Sequence, residues 1–167
     1  MHEQTLLINN QSLAQTAACK LQAAGIKITT VESCSGGLLA GLFTSFDGSS
    51  SWFDRGFVTY SNQAKQDQVG VCMASITEYG AVSKEVAKQM AQGGLANSEA
   101  ELAVSVTGVA GPAGGSTEKP VGTVCIAVAG SNNLVTVRQF EFAGDREGIR
   151  AKSVNQALLQ IIEFVSN

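Results

Sequence analysis

Residues 26–46 read IKITTVESCSGGLLAGLFTSF, and this stretch decides the fold. Ile26 to Glu32 are rich in β-branched side chains and read as a strand. Ser33, Cys34, Ser35, Gly36 and Gly37 form a small, turn-like pentapeptide. Leu38 to Phe46 continue as an apolar, helix-like run. A strand that turns straight into a helix is a building unit of layered α/β folds.

The flanks extend the pattern. Upstream, Leu13, Ala17, Leu21 and Ala24 recur at helical spacing from about Asn10, and Gly25 stops that helix. Downstream, GSSSWF (48–53) reads as a loop and RGFVTYS (55–61) as a strand, and a short helix over 62–69 has Asn62 available as its cap. No element is assigned between Val69 and Ala81. AVSKEVAKQMAQGGL (81–95) predicts a helix capped by Ser83, with Val82, Val86 and Met90 on one side. AELAVSVTG (100–108) reads as a buried strand, followed by the long glycine-rich loop 108–122. TVCIAVAG (123–130) and LVTVRQFEF (134–142) are two strands around SNN, a hairpin signal. The last helix opens near Asp145, with Val154, Leu158, Ile161 and Val165 as its stripe. Early alternation of helices and strands with a late hairpin predicts an α/β fold whose mixed sheet carries helices on both faces. One domain over 1–167 is expected, with residues 1–9 as a frayed N-terminal extension.

Composition narrows the function. The chain of 167 residues is 44% apolar, has 18 glycines and 2 prolines, and carries a net charge of -3. Its basic residues do not cluster, so nucleic acid is not an expected partner. Cys19, Cys34, Cys72 and Cys125 make no Cys-x-x-Cys pair, and the single histidine is His2. A metal site is therefore not expected, and no cofactor is. The polar N-terminus and the lack of a long apolar run predict a cytoplasmic chain with reduced thiols, no signal peptide and no membrane partner. Trp52 and Phe53 read as exposed aromatics, which favours a homo-oligomer.

Ligands of such sheets sit beyond the carboxyl ends of strands, where Glu32–Gly37, Tyr60–Lys65 and Thr107–Gly122 lie. The helix opening at Gly36 and Gly37 offers backbone N–H groups for a phosphate or an oxyanion. Ser33 or Ser35 is either a cap or a nucleophile. A nucleophilic serine needs a base, and with histidine confined to the terminus a lysine of lowered pKa must serve. Lys65 and Lys119 are the two lysines in these loops, and Tyr60 and Ser61 favour Lys65, since a tyrosine can relay a proton or orient the amine. Glu32 pairs with Lys65, orients a hydroxyl or sits solvated at the rim. Cys34, with no cation beside it, reads as a buried thiol. The loop 107–122 is neither a Walker loop nor a dinucleotide fingerprint, but its N–H groups can form an anion nest. Arg146 pairs with Asp145 or Glu147, or clamps a phosphate.

VESCSGGLLAGLFTSFDGSSSWFDRGFVTYSNQAK, GAVSKEVAKQMAQG, SVTGVAGPAGGSTEKPVGTV and GDRE, taken together and in this order, resemble the CinA C-terminal domain family from about residue 10 to the C-terminus. The molybdopterin-binding-like domain of longer relatives is not seen. The resemblance implies a three-layer α/β/α sandwich with a mixed, mostly parallel sheet. It implies metal-free hydrolysis of the carboxamide of nicotinamide mononucleotide (NMN) by a serine and a lysine, and a homo-oligomer. Carried over by motif, the serine is Ser33 and the lysine Lys65, with Tyr60 in the same element. Thr107 and Gly108 open the glycine loop that reaches Gly111, and Arg146 lies in the Gly-Asp-Arg element. Position 35 is often threonine in relatives, which assigns the attack to Ser33. Ala113 stands where relatives often have aspartate or glycine, so no carboxylate role is expected there. The rival expectations are a non-catalytic nucleotide- or phosphate-binding regulatory module and an amidohydrolase for another phosphorylated substrate.

Overall fold

The computed structural model describes residues 3–167. Five strands, β1 (Ile28–Glu32), β2 (Phe53–Val58), β3 (Leu102–Gly108), β4 (Thr123–Gly130) and β5 (Val135–Glu141), form one sheet in the order β2-β1-β3-β4-β5. β1 pairs in parallel with β2 and β3, whereas β4 is antiparallel to both β3 and β5. Four strands thus share one direction and β4 alone is reversed, although only half the pairings are parallel.

Six helices cover both faces: α1 (Glu3–Ala24), α2 (Leu38–Thr44), α3 (Asn62–Val69), α4 (Met73–Tyr79), α5 (Lys84–Ala96) and α6 (Arg146–Ser166). α1 begins earlier than its apolar stripe predicts. Of the extension at 1–9 expected to fray, Met1 and His2 lie outside the described residues, and the rest belongs to α1. α4 and a 3₁₀ turn at Ser49–Ser51 have no counterpart in the sequence reading. Both are a turn or two long, too short for periodicity to register.

β3 and β4 are buried on both faces, and their alternation sorts the core into two layers. Val104, Val106, Val124, Ile126 and Val128 face α1, α2 and α6, where Leu21, Phe43, Leu158 and Ile161 complete the cluster. Ala103, Cys125, Ala127 and Ala129 face α5, together with its Ala87 and Ala91. These small side chains let α5 lie close, and its Gly94 is closer still: a Cβ there would sit 2.6 Å from Val31. Ser105 Oγ fixes the approach by donating to Ala87 O at 2.6 Å. Trp52 is buried, with its ring edge-on to Phe43 at a centroid distance of 5.1 Å, and Phe53 packs against the same phenyl ring at 5.8 Å. The expectation that these two aromatics are exposed is therefore corrected, and they carry no argument for an oligomer.

The register matters most at one end. Glu32 lies beside Val58 on one side and Val106 on the other, so β1 and β2 finish level and β3 runs two residues further, to Gly108. Ser33 N–H still donates to Val106 O, at 2.9 Å, and Thr59 N–H to Glu32 O, at 2.8 Å. Ser33, Thr59 and Thr107 therefore stand side by side at the rim.

Candidate active site

Ser33 follows the last residue of β1 and is buried. Lys65 comes from the first turns of α3. Ser61 starts that helix, its hydroxyl accepting from Ala64 N–H at 3.0 Å, so the cap is Ser61 and not Asn62. The cap directs Lys65 back under the loop, where it is 1% exposed. Its Nζ reaches Ser33 Oγ at 3.1 Å, Thr59 O at 2.9 Å and Tyr60 O at 3.4 Å. Among the described residues no carboxylate forms an ion pair with it. Burial lowers the amine's pKa below its ordinary 10.5, and the nearby Cys34 opposes this only weakly.

A neutral amine has two N–H bonds and one lone pair. As an ammonium, Nζ donates to both carbonyls and to the Ser33 hydroxyl; as a neutral amine it keeps the two carbonyls and accepts the Ser33 hydroxyl on its lone pair. Ser33 and Lys65 line a cleft of about 300 Å³, together with Tyr60, Thr107, Gly108 and Arg146. The three strand-end loops thus converge as the fold class predicts.

Arg146, the first residue of α6, spans the mouth of this cleft. It donates to Gly111 O at 2.8 Å and to the hydroxyl of Tyr60 at 3.1 Å. Like Lys65, it forms no ion pair among the described residues. Asp145, the neighbour expected as a partner, instead caps α6 by accepting from Gly148 N–H at 2.9 Å. An unneutralised guanidinium at the rim of a cleft is suited to an anionic group.

Comparisons with known proteins bear on this geometry. The model of the CinA C-terminal domain matches residues 10–165. The chain belongs to the CinA C-terminal domain family. It is 49% identical over 148 residues to the nicotinamide-nucleotide amidohydrolase PncC of Enterobacter agglomerans, covering 88% of this chain and 90% of that protein. The PncC of Escherichia coli K12 is 46% identical over 146 residues, covering 87% and 88%. A putative competence-damage inducible protein of Caldicellulosiruptor saccharolyticus is 47% identical over 151 residues, but there 90% of this chain spans only 36% of the relative. The crystal structure of the competence/damage inducible protein CihA from Agrobacterium tumefaciens superposes with a TM-score of 0.92 at 43% identity, covering 95% of this chain and 96% of that one.

Within this CinA-type site, several expected residues stand elsewhere. Glu32 neither pairs with Lys65 nor sits solvated. It is 1% exposed, and its carboxylate accepts from the N–H groups of Gly37 (3.0 Å), Leu39 (3.1 Å) and Ala40 (2.8 Å). It is the cap of α2, and it fills the helix mouth that was expected to bind a phosphate or an oxyanion. Gly36 N–H is also used, donating to Ser33 O at 3.0 Å. Gly36 and Gly37 therefore serve the turn itself, at φ of 61° and 93°. Ser35 is fully buried, and its hydroxyl has no partner among the described residues. Tyr60 is 62% exposed, and its carbonyl, not its hydroxyl, meets the amine. Thr107 is tied by its hydroxyl to Ala81 O at 2.9 Å. Lys119 donates to Tyr79 O and does not line the cleft. Cys34 is buried as expected, and burial pushes its thiol up to about 11. Among the described residues no group of three His, Cys, Asp or Glu side chains could hold a metal ion, and no helix is long and apolar enough to cross a membrane.

The sequence reading missed Arg150. It lies one turn beyond Arg146 on α6, donating from Nε to Cys34 O at 3.1 Å and from Nη2 to Ser35 O at 3.2 Å. The i, i+4 spacing of two arginines at a helix start was the available signal.

Proposed function

We propose that this chain is a nicotinamide-nucleotide amidohydrolase that converts NMN to nicotinate mononucleotide and ammonia through Ser33 and Lys65. The observation that carries the reading is the 3.1 Å contact between a buried, unpaired amine and a serine hydroxyl at the strand end. The names of relatives at 46% and 49% identity supply the substrate.

In this mechanism neutral Lys65 accepts the proton of Ser33 as Oγ attacks the amide carbon. The carbonyl oxygen becomes an oxyanion, stabilised by backbone N–H donors. Collapse breaks the C–N bond, and the proton held on Lys65 leaves with the nitrogen as ammonia. Water then attacks the ester, returning one proton through Lys65 to Ser33, and the acid product departs and loses its other proton to solvent as the nicotinate carboxylate. Arg146 clamps the phosphate, and the hydroxyl of Tyr60 steadies Arg146 rather than relaying a proton. Gly108 and Gly111 form the far wall, where the main chain can approach the substrate closely. The same reading has the enzyme acting without a cofactor, in the cytoplasm and as a homo-oligomer.

The test is ammonia release from NMN by the purified chain, compared with Ser33→Ala and Lys65→Ala and with the dephosphorylated riboside as substrate. The expected result is turnover by the parent alone and a strong preference for the phosphorylated substrate. Heat of NMN binding without ammonia release would instead identify a binding module. Equal turnover of riboside and nucleotide would remove the phosphate clamp.

A further inference from the structure

The nucleophile turn is a wall between two hollows. Ser33 and Cys34 face the substrate cleft. Gly36, Gly37 and Arg150 line a separate, mainly apolar hollow of about 460 Å³ on the other side, bounded by Leu38, Leu42 and Val154. Arg150 holds the carbonyls of Cys34 and Ser35 from that far side. A trans peptide points its N–H opposite to its C=O. The carbonyl of Cys34 shares a plane with the N–H of Ser35, so a carbonyl drawn toward Arg150 turns the Ser35 N–H toward the cleft side. That N–H has no oxygen acceptor among the described residues, and neither has that of Cys34. Both lie against the thiol of Cys34, which borders the cleft. The next N–H along, that of Gly36, is already taken by Ser33 O.

We infer that the backbone N–H groups of Cys34 and Ser35 are the oxyanion donors, that Arg150 is the positioning residue that aims the N–H of Ser35, and that Ser33 O, held by Gly36 N–H, sets the plane that carries the N–H of Cys34. The inference rests on the amide hydrolysis proposed above. Two donors immediately after the nucleophile replace the helix mouth that Glu32 occupies. The guanidinium fixes the Cys34–Ser35 peptide plane and also polarises it, because a charged donor on the Cys34 carbonyl strengthens the Ser35 N–H of the same amide. The positive φ of Gly36 belongs to the same device. A Cβ at that position would lie 3.1 Å from Arg150 Nη2, so glycine leaves the guanidinium its place.

The experiment compares the parent with Arg150→Met and Arg150→Lys. It measures kcat and KM for NMN, the pH profile, the melting temperature, and the affinity for pyridine-3-boronic acid, which forms a tetrahedral anion on a serine. Arg150→Met is expected to lower kcat by about 100-fold, the scale of losing one oxyanion donor. KM should stay within about twofold, since the amide is held only weakly before attack. Boronate affinity should fall in step with kcat, while the limb of the pH profile set by Lys65 stays in place. Arg150→Lys should recover part of both losses, because one carbonyl regains a charged donor. Unchanged kcat in folded variants, a loss confined to KM, or a fall in kcat with boronate affinity intact would each overturn the inference. If Arg150→Met does not fold, the Arg150→Lys comparison decides by the same parallel between kcat and boronate affinity. If the parent releases no ammonia from NMN, the substrate reading fails by itself. Boronate affinity of parent and variants, followed by boron NMR, then decides the role of Arg150 alone.

Discussion

Glu32 and Lys65 are two ionisable side chains at the same end of the sheet, each 1% exposed, treated in opposite ways. The carboxylate receives three N–H groups at the positive end of α2. The amine receives two carbonyls and a hydroxyl and no opposite charge. Burial with compensation builds a scaffold. Burial without it lowers the pKa of an amine, the direction that a base at neutral pH requires. Glu32 therefore stabilises the turn that carries Ser33, and Lys65 is the group that the proposed chemistry uses.

The comparison can be broken by exchanging these roles. Lys65→Ala and Ser33→Ala should each reduce kcat for NMN by roughly 10⁴-fold or more with the fold intact, since members of a nucleophile–base pair fail as a unit. Ammonia release and circular dichroism on the same samples check this. Glu32→Gln should act on stability first. It leaves at least one N–H of α2 facing an amide NH₂, at a cost of about 1–3 kcal/mol in urea unfolding. Arg146→Gln should raise KM for NMN by about 10–100-fold and leave the riboside unaffected, because only a charge-assisted contact to the phosphate is lost. Tyr60→Phe removes one of the two acceptors of Arg146 and should change kcat/KM only a few-fold, on the scale of one exposed hydrogen bond.

A subtler expectation concerns pH. The folded-state pKa of Lys65 is lowered below the unfolded value near 10.5. Between the two values the unfolded chain binds more protons, so this group makes the protein more stable as pH rises, fully so only above 10.5. Lys65→Met removes that contribution. The stability of the parent relative to Lys65→Met should therefore increase from neutral pH toward pH 10.5, measured by denaturant unfolding at several pH values. A flat difference would mean that Lys65 is not destabilised by its charge.

The layered fold was legible because its signals are local. β-branched runs, glycine stops and the SNN hairpin all report on neighbours in the chain, and the observed order of strands and helices follows them. That a lysine of the Tyr60–Lys65 loop would meet the serine turn was legible from the missing histidine and three loops due at one sheet end, whereas the choice of Ser33 over Ser35 was only implied by the family resemblance. The use of Glu32 was not legible. Its partners are N–H groups five to eight residues ahead, and a backbone donor leaves no mark on residue type. Trp52 misled for a related reason: a polar GSSS run precedes it, yet the chain returns it onto Phe43 of α2. Arg150 was missed because its acceptors are carbonyls more than a hundred residues away, in a turn that any sequence could supply.

Direct titration of the Lys65 amine tests the account where it is most exposed. With lysine labelled at Cε, the Lys65 signal is assigned by its loss in Lys65→Met and followed by NMR against pH. It should titrate below 10.5, with a midpoint that coincides with the rising limb of kcat/KM for NMN. A midpoint at or above 10.5, or a limb that rises at another pH, would contradict the claim that an uncharged Lys65 activates Ser33.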